Sequence, residues 1–305
     1  MKMTDSMPTQ NPVEYYTWQR YRCAYEFDPP PDGDSSASPL LLVHPIGVGL
    51  SRRFWYRFCR EWRHLGGENA IYNPDLIGCG ESEKPPVAYQ VEDWAEQLQE
   101  LIKTVIKQPV IVVVQGALLP VAIALAKKYP DGVRGMVLSG PPAWPVMTEA
   151  SSDPRQRLLW NLFFDAPGGR LLWIYARREQ FLKSFSIRQL FAEAKDVDRE
   201  WLDLLAVGSR EARSRYAVFS FLAGFWRKDY ALDMANLSQP TLVVIGDRAS
   251  SISRSGKSET PEDRKQAYEK GWKNARAIVI PGRNVLPYEE TERFVKVTRE
   301  FVSQL

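Results

Sequence analysis

The chain has 305 residues, 40 Lys+Arg against 37 Asp+Glu, a formal net charge of +3, and 44% hydrophobic residues. With 25% charged residues of both signs intermixed, it is neither a disordered nor a collagen-like chain. It also lacks the basic tract of a nucleic-acid binder, so no nucleic-acid partner is expected.

Residues 1–13 are polar and without periodicity and read as a flexible tail. The aromatic-rich stretch at 15–27, YYTWQRYRCAYEF, alternates with the period of a strand and is broken by PPPDGDSSASP, which predicts edge strands of a sheet. Short apolar runs then alternate with amphipathic stretches: LLLV at 40–43, a helix over 52–64, AIYNPDL, a helix over 91–107, VIVVV, a helix over 119–129, and GMVLSG. Continuous apolar runs of this kind suit parallel strands covered on both faces, and their order predicts a doubly wound, mostly parallel α/β sheet. Strand-like runs lapse over 144–230, where RLLWNLFF, GRLLWIYARR and REWLDLLAV predict an inserted helical cap. The core, begun at 14–143, resumes over 231–305 with TLVVIG and AIVIPG and a helix over 289–302. The patch at 250–265, SSISRSGKSETPEDRK, reads as an exposed loop.

Cys23, Cys59 and Cys79 are an odd, widely spaced set, from which free thiols in a reducing compartment are expected. No apolar run approaches the ~20 residues of a membrane span, and the first residues contain no stretch of signal-peptide type. The expectation is a cytoplasmic protein, with peripheral membrane attachment left open.

Three phrases, LLLVHPIG, PDLIGCGESEKP and PTLVVIGD, together resemble the α/β-hydrolase fold family. The resemblance implies a nucleophile after VIVVV on a Gly-x-Ser-x-Gly turn, an acid after TLVVIG, and a histidine after the last strand. The first position reads Gln115-Gly116-Ala117-Leu118-Leu119-Pro120, which puts Ala117 where the serine would stand; a shift of one puts Leu118 there. Between positions 110 and 125 there is no Ser, Cys, Thr or Asp. Val285 aligns with the histidine, and the only two histidines, His44 and His64, lie in the first quarter of the chain. Ala249 aligns with the acid, with Asp247 nearby as a displaced candidate. No catalytic residue is therefore assigned, and Ala117, Ala249 and Val285 are degenerate positions.

The resemblance also implies two backbone N–H donors of an oxyanion site, here those of Ile46 and Leu118. With them, His44, Ser139, Trp144 and Val285 are expected to line a ligand site, although His44 also suits a purely structural role in its loop. Ser82 is read as part of a turn. The cap aromatics Trp144, Trp160, Trp173, Trp201, Trp226, Phe163 and Phe164 suit either a hydrophobic pocket or packing of the cap. No cofactor and no metal site are expected.

The reading that follows is a catalytically inactive hydrolase-like protein that binds a hydrophobic small molecule or a protein partner. Its cap, FSIRQLFAEAKDVDREWLDLL, resembles the chlorophyll dephytylase and pheophytinase branch, and HPIGVGLSRRFW resembles cyanobacterial α/β-hydrolases. That likeness implies a link to photosynthetic pigment metabolism or assembly and a peripheral association with the thylakoid membrane. The alternative is an enzyme of the same fold with a non-standard mechanism, a lyase, isomerase or weak hydrolase using His44, Asp247 or Glu289 for proton transfer. A third is an interaction scaffold acting through the cap or through 250–265.

Overall fold

The computed structural model describes residues 11–31, 33, 37–150, 153–161 and 167–305. Within them one eight-stranded sheet runs in the order β1-β2-β4-β3-β5-β6-β7-β8. The edge strands β1 (Val13–Trp18) and β2 (Tyr21–Asp28) form an antiparallel pair, and β2 runs antiparallel to β4 (Ile71–Pro74). The other strands are parallel: β3 (Leu40–Val43), β5 (Val110–Gln115), β6 (Val133–Ser139), β7 (Thr241–Gly246) and β8 (Ala275–Ile280). The doubly wound sheet expected from the apolar runs is thus present, and Val13, read as the end of the polar tail, opens its first strand.

Alternation along each strand explains why the runs are continuously apolar. Leu41, Val43, Val112 and Val114 enter one core, whereas Leu40, Leu42, Ile111 and Val113 enter the other. The first is covered by α2 (Val91–Leu101) and α3 (Leu119–Lys128), the second by α1 (Tyr56–His64) and α13 (Thr291–Val302).

Between β6 and β7 the described residues hold helices and no strand: α4 (Trp144–Thr148), α5 (Asp153–Leu159), α6 (Pro167–Ala176), α7 (Glu179–Phe185), α8 (Arg199–Gly208), α9 (Arg215–Ala223) and α10 (Ala231–Asn236). Trp160 packs on Tyr216 and Phe225, Trp173 on Phe219, and Trp226 on Phe221, while Trp201 sits among Phe54, Phe191 and Tyr288. These aromatics hold the cap together. Phe163 and Phe164 lie outside the described residues.

The reading of 250–265 as a loop is corrected in its second half, because α11 (Pro261–Gly271) begins there. Thr260 accepts a hydrogen bond from the Asp263 N–H, the Asp263 carboxylate accepts one from the Thr260 N–H, and Pro261 occupies the first helical turn. A short α12 (Leu286–Glu289) precedes α13. Among the described residues no helix is long and apolar enough to cross a membrane.

Candidate functional site

β5 runs apolar and buried up to Gln115, turns at Gly116, and enters α3 through a tight turn over Gly116–Leu118, with Pro120 in the first turn of the helix. Gly116 has φ +64°, a left-handed conformation that glycine adopts without steric cost. In this architecture the nucleophile sits on the strained residue of that turn. Here the left-handed residue is Gly116, one position before the Ala117 of the sequence reading. A Cβ built on Gly116 would meet no atom within 4 Å, so the vertex faces open space. Ala117 follows it half-buried, and the Leu118 side chain is packed in the core. In either register the turn carries no group able to attack a carbonyl.

Ala249 and Val285 are both buried. Beside them, where an acid and an imidazole would form a relay, stands a network of amides. The Gln115 side-chain Nε2 donates to the Asn284 carbonyl at 2.6 Å. The Asn284 Nδ2 donates to the carbonyls of Gln189 at 2.7 Å and Ser250 at 3.1 Å, while its Oδ1 accepts from the Ser250 N–H at 3.3 Å. The Asn284 N–H donates to the Leu190 carbonyl, and the Arg283 Nε donates to the Ser250 Oγ at 2.9 Å. This network joins the ends of β5, β7 and β8 to the cap and contains no base. Sequence reasoning missed Gln115 and Asn284 as its organisers; the available signal was a glutamine closing an otherwise apolar buried strand. Gln115 Oε1 and Ser139 Oγ, on residues facing each other in the β5–β6 register, are buried without a hydrogen-bond partner among the described residues.

His44 is fully buried, with both ring nitrogens engaged: Nε2 accepts from the Leu76 N–H at 3.1 Å, and Nδ1 donates to the Pro45 carbonyl at 2.9 Å. Burial lowers its pKa, consistent with a neutral ring bonded in this way. The turn over 75–82 is also structural: Ser82 Oγ donates to the Asp75 carbonyl and accepts from the Ala24 N–H. Asp75 holds Arg52, which also pairs with Glu26 at 2.9 Å in the buried interior. Asp247 is exposed and accepts from the Gly282 N–H at 3.1 Å. The Glu289 carboxylate accepts from the N–H groups of Arg283 and Ala192, and burial raises its pKa. Ile46 is buried after β3, and its N–H donates to no group among the described residues. The Trp144 ring packs edge-on against Tyr268 and over Gly271, and the Trp144 backbone N–H donates to the Glu259 carboxylate, so its contacts are with α11 and the residues just before it.

The sequence profile of the "Alpha/beta hydrolase family" matches residues 40–297. The chain belongs to the α/β-hydrolase family. A 2-hydroxy-6-oxo-2,4-heptadienoate hydrolase of Pseudomonas putida is 24% identical over 193 residues, 58% of this chain and 68% of the relative. A 2-hydroxymuconate semialdehyde hydrolase of a Pseudomonas species is 28% identical over 109 residues, only 35% of this chain and 38% of that protein. A thermophilic esterase from Thermogutta terrifontis superimposes with a TM-score of 0.71 at 22% identity, covering 96% of this chain and 98% of its own. A serine hydrolase of carbazole degradation gives 0.72 at 15% identity over 96% and 99%. At these identities the superpositions speak for the fold.

Proposed function

We propose that this chain is a catalytically silent α/β-hydrolase that binds a hydrophobic small molecule instead of turning one over. The observation that carries this reading is the amide network of Gln115 and Asn284 standing beside Gly116, Ala249 and Val285, where a proton relay belongs. Acyl transfer by this fold needs a nucleophile and a base within hydrogen-bond reach of each other. Neither is present at these positions in the sequence.

Binding has two supports. The vertex at Gly116 opens on space that a side chain would otherwise fill. Gln115 Oε1 and Ser139 Oγ have no hydrogen-bond partner among the described residues, and an unbonded buried polar group costs about 1–3 kcal/mol. A mostly apolar ligand with one hydroxyl or amide group would relieve that cost. The likeness of the cap to the dephytylase branch narrows the ligand to a pigment or a phytyl-bearing lipid, encountered at a photosynthetic membrane. The relatives named as hydrolases favour turnover by a rebuilt mechanism. Against it, each proton carrier available for that role is already engaged: His44 through both nitrogens, and Asp247 and Glu289 by backbone N–H groups.

A serine-reactive fluorophosphonate is expected to leave the protein unlabelled, and specific labelling of one residue would sink the silent reading. Mass spectrometry of the solvent extract of purified protein is expected to find a co-purified lipid or pigment. An empty extract would remove the small-molecule ligand and leave a protein partner at the cap.

A further inference from the structure

A cleft of about 540 Å³ opens between α6 and the start of α9, with Pro86 of the core also in its lining and no residue of the Gly116–Leu118 turn. Arg170, Trp173, Ile174 and Arg177 line one wall, at the three- and four-residue spacing that places them on one face of a helix. Arg213, Arg215 and Tyr216 line the other wall, and no carboxylate stands among the described lining residues.

The charges here are unbalanced. Arg57, Arg60, Arg63, Arg199 and Arg248 elsewhere each hold a carboxylate, but none of the four cleft arginines has an ion pair among the described residues. Arg215 is the most telling, being only 9% exposed. Its guanidinium donates to the Ala212 carbonyl and the Tyr216 hydroxyl at 2.8 Å each and lies 4.2 Å from the Tyr216 ring centre, neutral partners all. A buried cation without a counter-ion is held at a cost that a bound anion would offset. Trp173 is 1% exposed, and its indole N–H has no acceptor among the described residues. A charged fork and an idle buried donor thus meet in one cleft. Next to it α6 turns apolar side chains to solvent: Leu171 is 71% exposed, Tyr175 52% and Leu172 42%.

We propose that this cleft binds the acidic head of an amphiphile, a phosphate or carboxylate carrying an apolar chain. The arginines and the Trp173 N–H hold the anionic oxygens, and the outer face of α6 receives the chain. This inference stands whether or not the turn at Gly116 is silent.

The test uses the full chain with monomeric dodecyl phosphate, followed by calorimetry and tryptophan fluorescence, and with vesicles of phosphatidylcholine with and without phosphatidylglycerol. Dodecyl phosphate is expected to bind in a salt-dependent manner, and the double variant Arg177→Glu/Arg213→Glu to weaken it by about tenfold or more. Both arginines are exposed, so the variant should melt like the parent, and Arg213→Gln alone serves if it does not. Binding of monomer without vesicle capture assigns a free amphiphile, whereas capture by the anionic vesicles alone assigns a bilayer headgroup. Absence of binding in both arms, or binding that survives charge reversal, overturns the proposal.

Discussion

At the scale of single residues, the side chains most suggestive of chemistry are the ones most committed to structure. His44 sits where a reader looks for an acid or base, yet it spends one nitrogen on the Leu76 N–H and the other on the Pro45 carbonyl. His44→Ala leaves a buried N–H unpaired and a void, and is expected to cost about 2–4 kcal/mol in urea denaturation at neutral pH. The pH dependence has a definite sign. Burial lowers the folded-state pKa, so below about 6.5 the unfolded chain binds the proton more readily than the folded one. The stability contributed by His44 is therefore present above that pH and lost as pH falls toward the folded-state value. The gap between parent and His44→Ala should narrow as pH falls from about 7.5 to about 5.5, one unit either side of the ordinary histidine pKa; an unchanged gap would refute a neutral, buried His44. Gly80 offers a sharper case: at φ +51° a Cβ there would stand 2.0 Å from the carboxyl carbon of Asp75. Gly80→Ala should displace the Asp75–Arg52 pair and cost about 3–5 kcal/mol, read as a fall in melting temperature.

At the scale of elements, the alternation of apolar runs and amphipathic stretches was enough to locate β3 to β8 and α1 to α3, because buried parallel strands and their covering helices differ in period. Two local features escaped that logic. The start of α11 was hidden in polar composition, although Thr260, Pro261 and Asp263 spell a helix start by capping chemistry. The turn after β5 shows a motif of side chains and a backbone geometry that point one residue apart: the motif aligns Ala117 with the nucleophile, whereas the left-handed residue of the turn is Gly116. The amide network was not legible at all: Gln115 and Asn284 are 169 residues apart, and nothing in either neighbourhood announces the other. Asn284→Ala removes the bonds to Gln189 and Ser250 and is expected to cost about 2–3 kcal/mol. Hydrogen exchange should then quicken over 186–191 and 249–251; acceleration spread evenly over the chain would mean that Asn284 does not specifically tie the cap to the sheet.

At the scale of the whole molecule, the question is whether the family's scaffold has lost its geometry along with its chemistry. The positions that would carry nucleophile, acid and base lie at the ends of β5, β7 and β8, strands that the sheet holds in one parallel set. Their immediate neighbours are hydrogen-bonded to one another, Gln115 to Asn284 and Asn284 to Ser250, so the three chain segments already meet at side-chain distance. Open space lies in front of Gly116, while Ala249 and Val285 are buried small and medium side chains. Restoring the relay is then a matter of side chains, not of backbone. Gly116→Ser alone pays the strain of a left-handed residue, about 1–3 kcal/mol, and gains a hydroxyl with no base to take its proton. It should stay unlabelled by fluorophosphonate. The triple variant Gly116→Ser/Ala249→Asp/Val285→His is expected to become labelled and to show weak ester hydrolysis. If the Ala117→Ser version gained activity while the Gly116→Ser version stayed inert, the vertex would lie at Ala117 after all. If both triple variants fold but remain unlabelled, the amide network has moved these ends out of catalytic geometry, and the silence of the site is built into the scaffold rather than into three side chains.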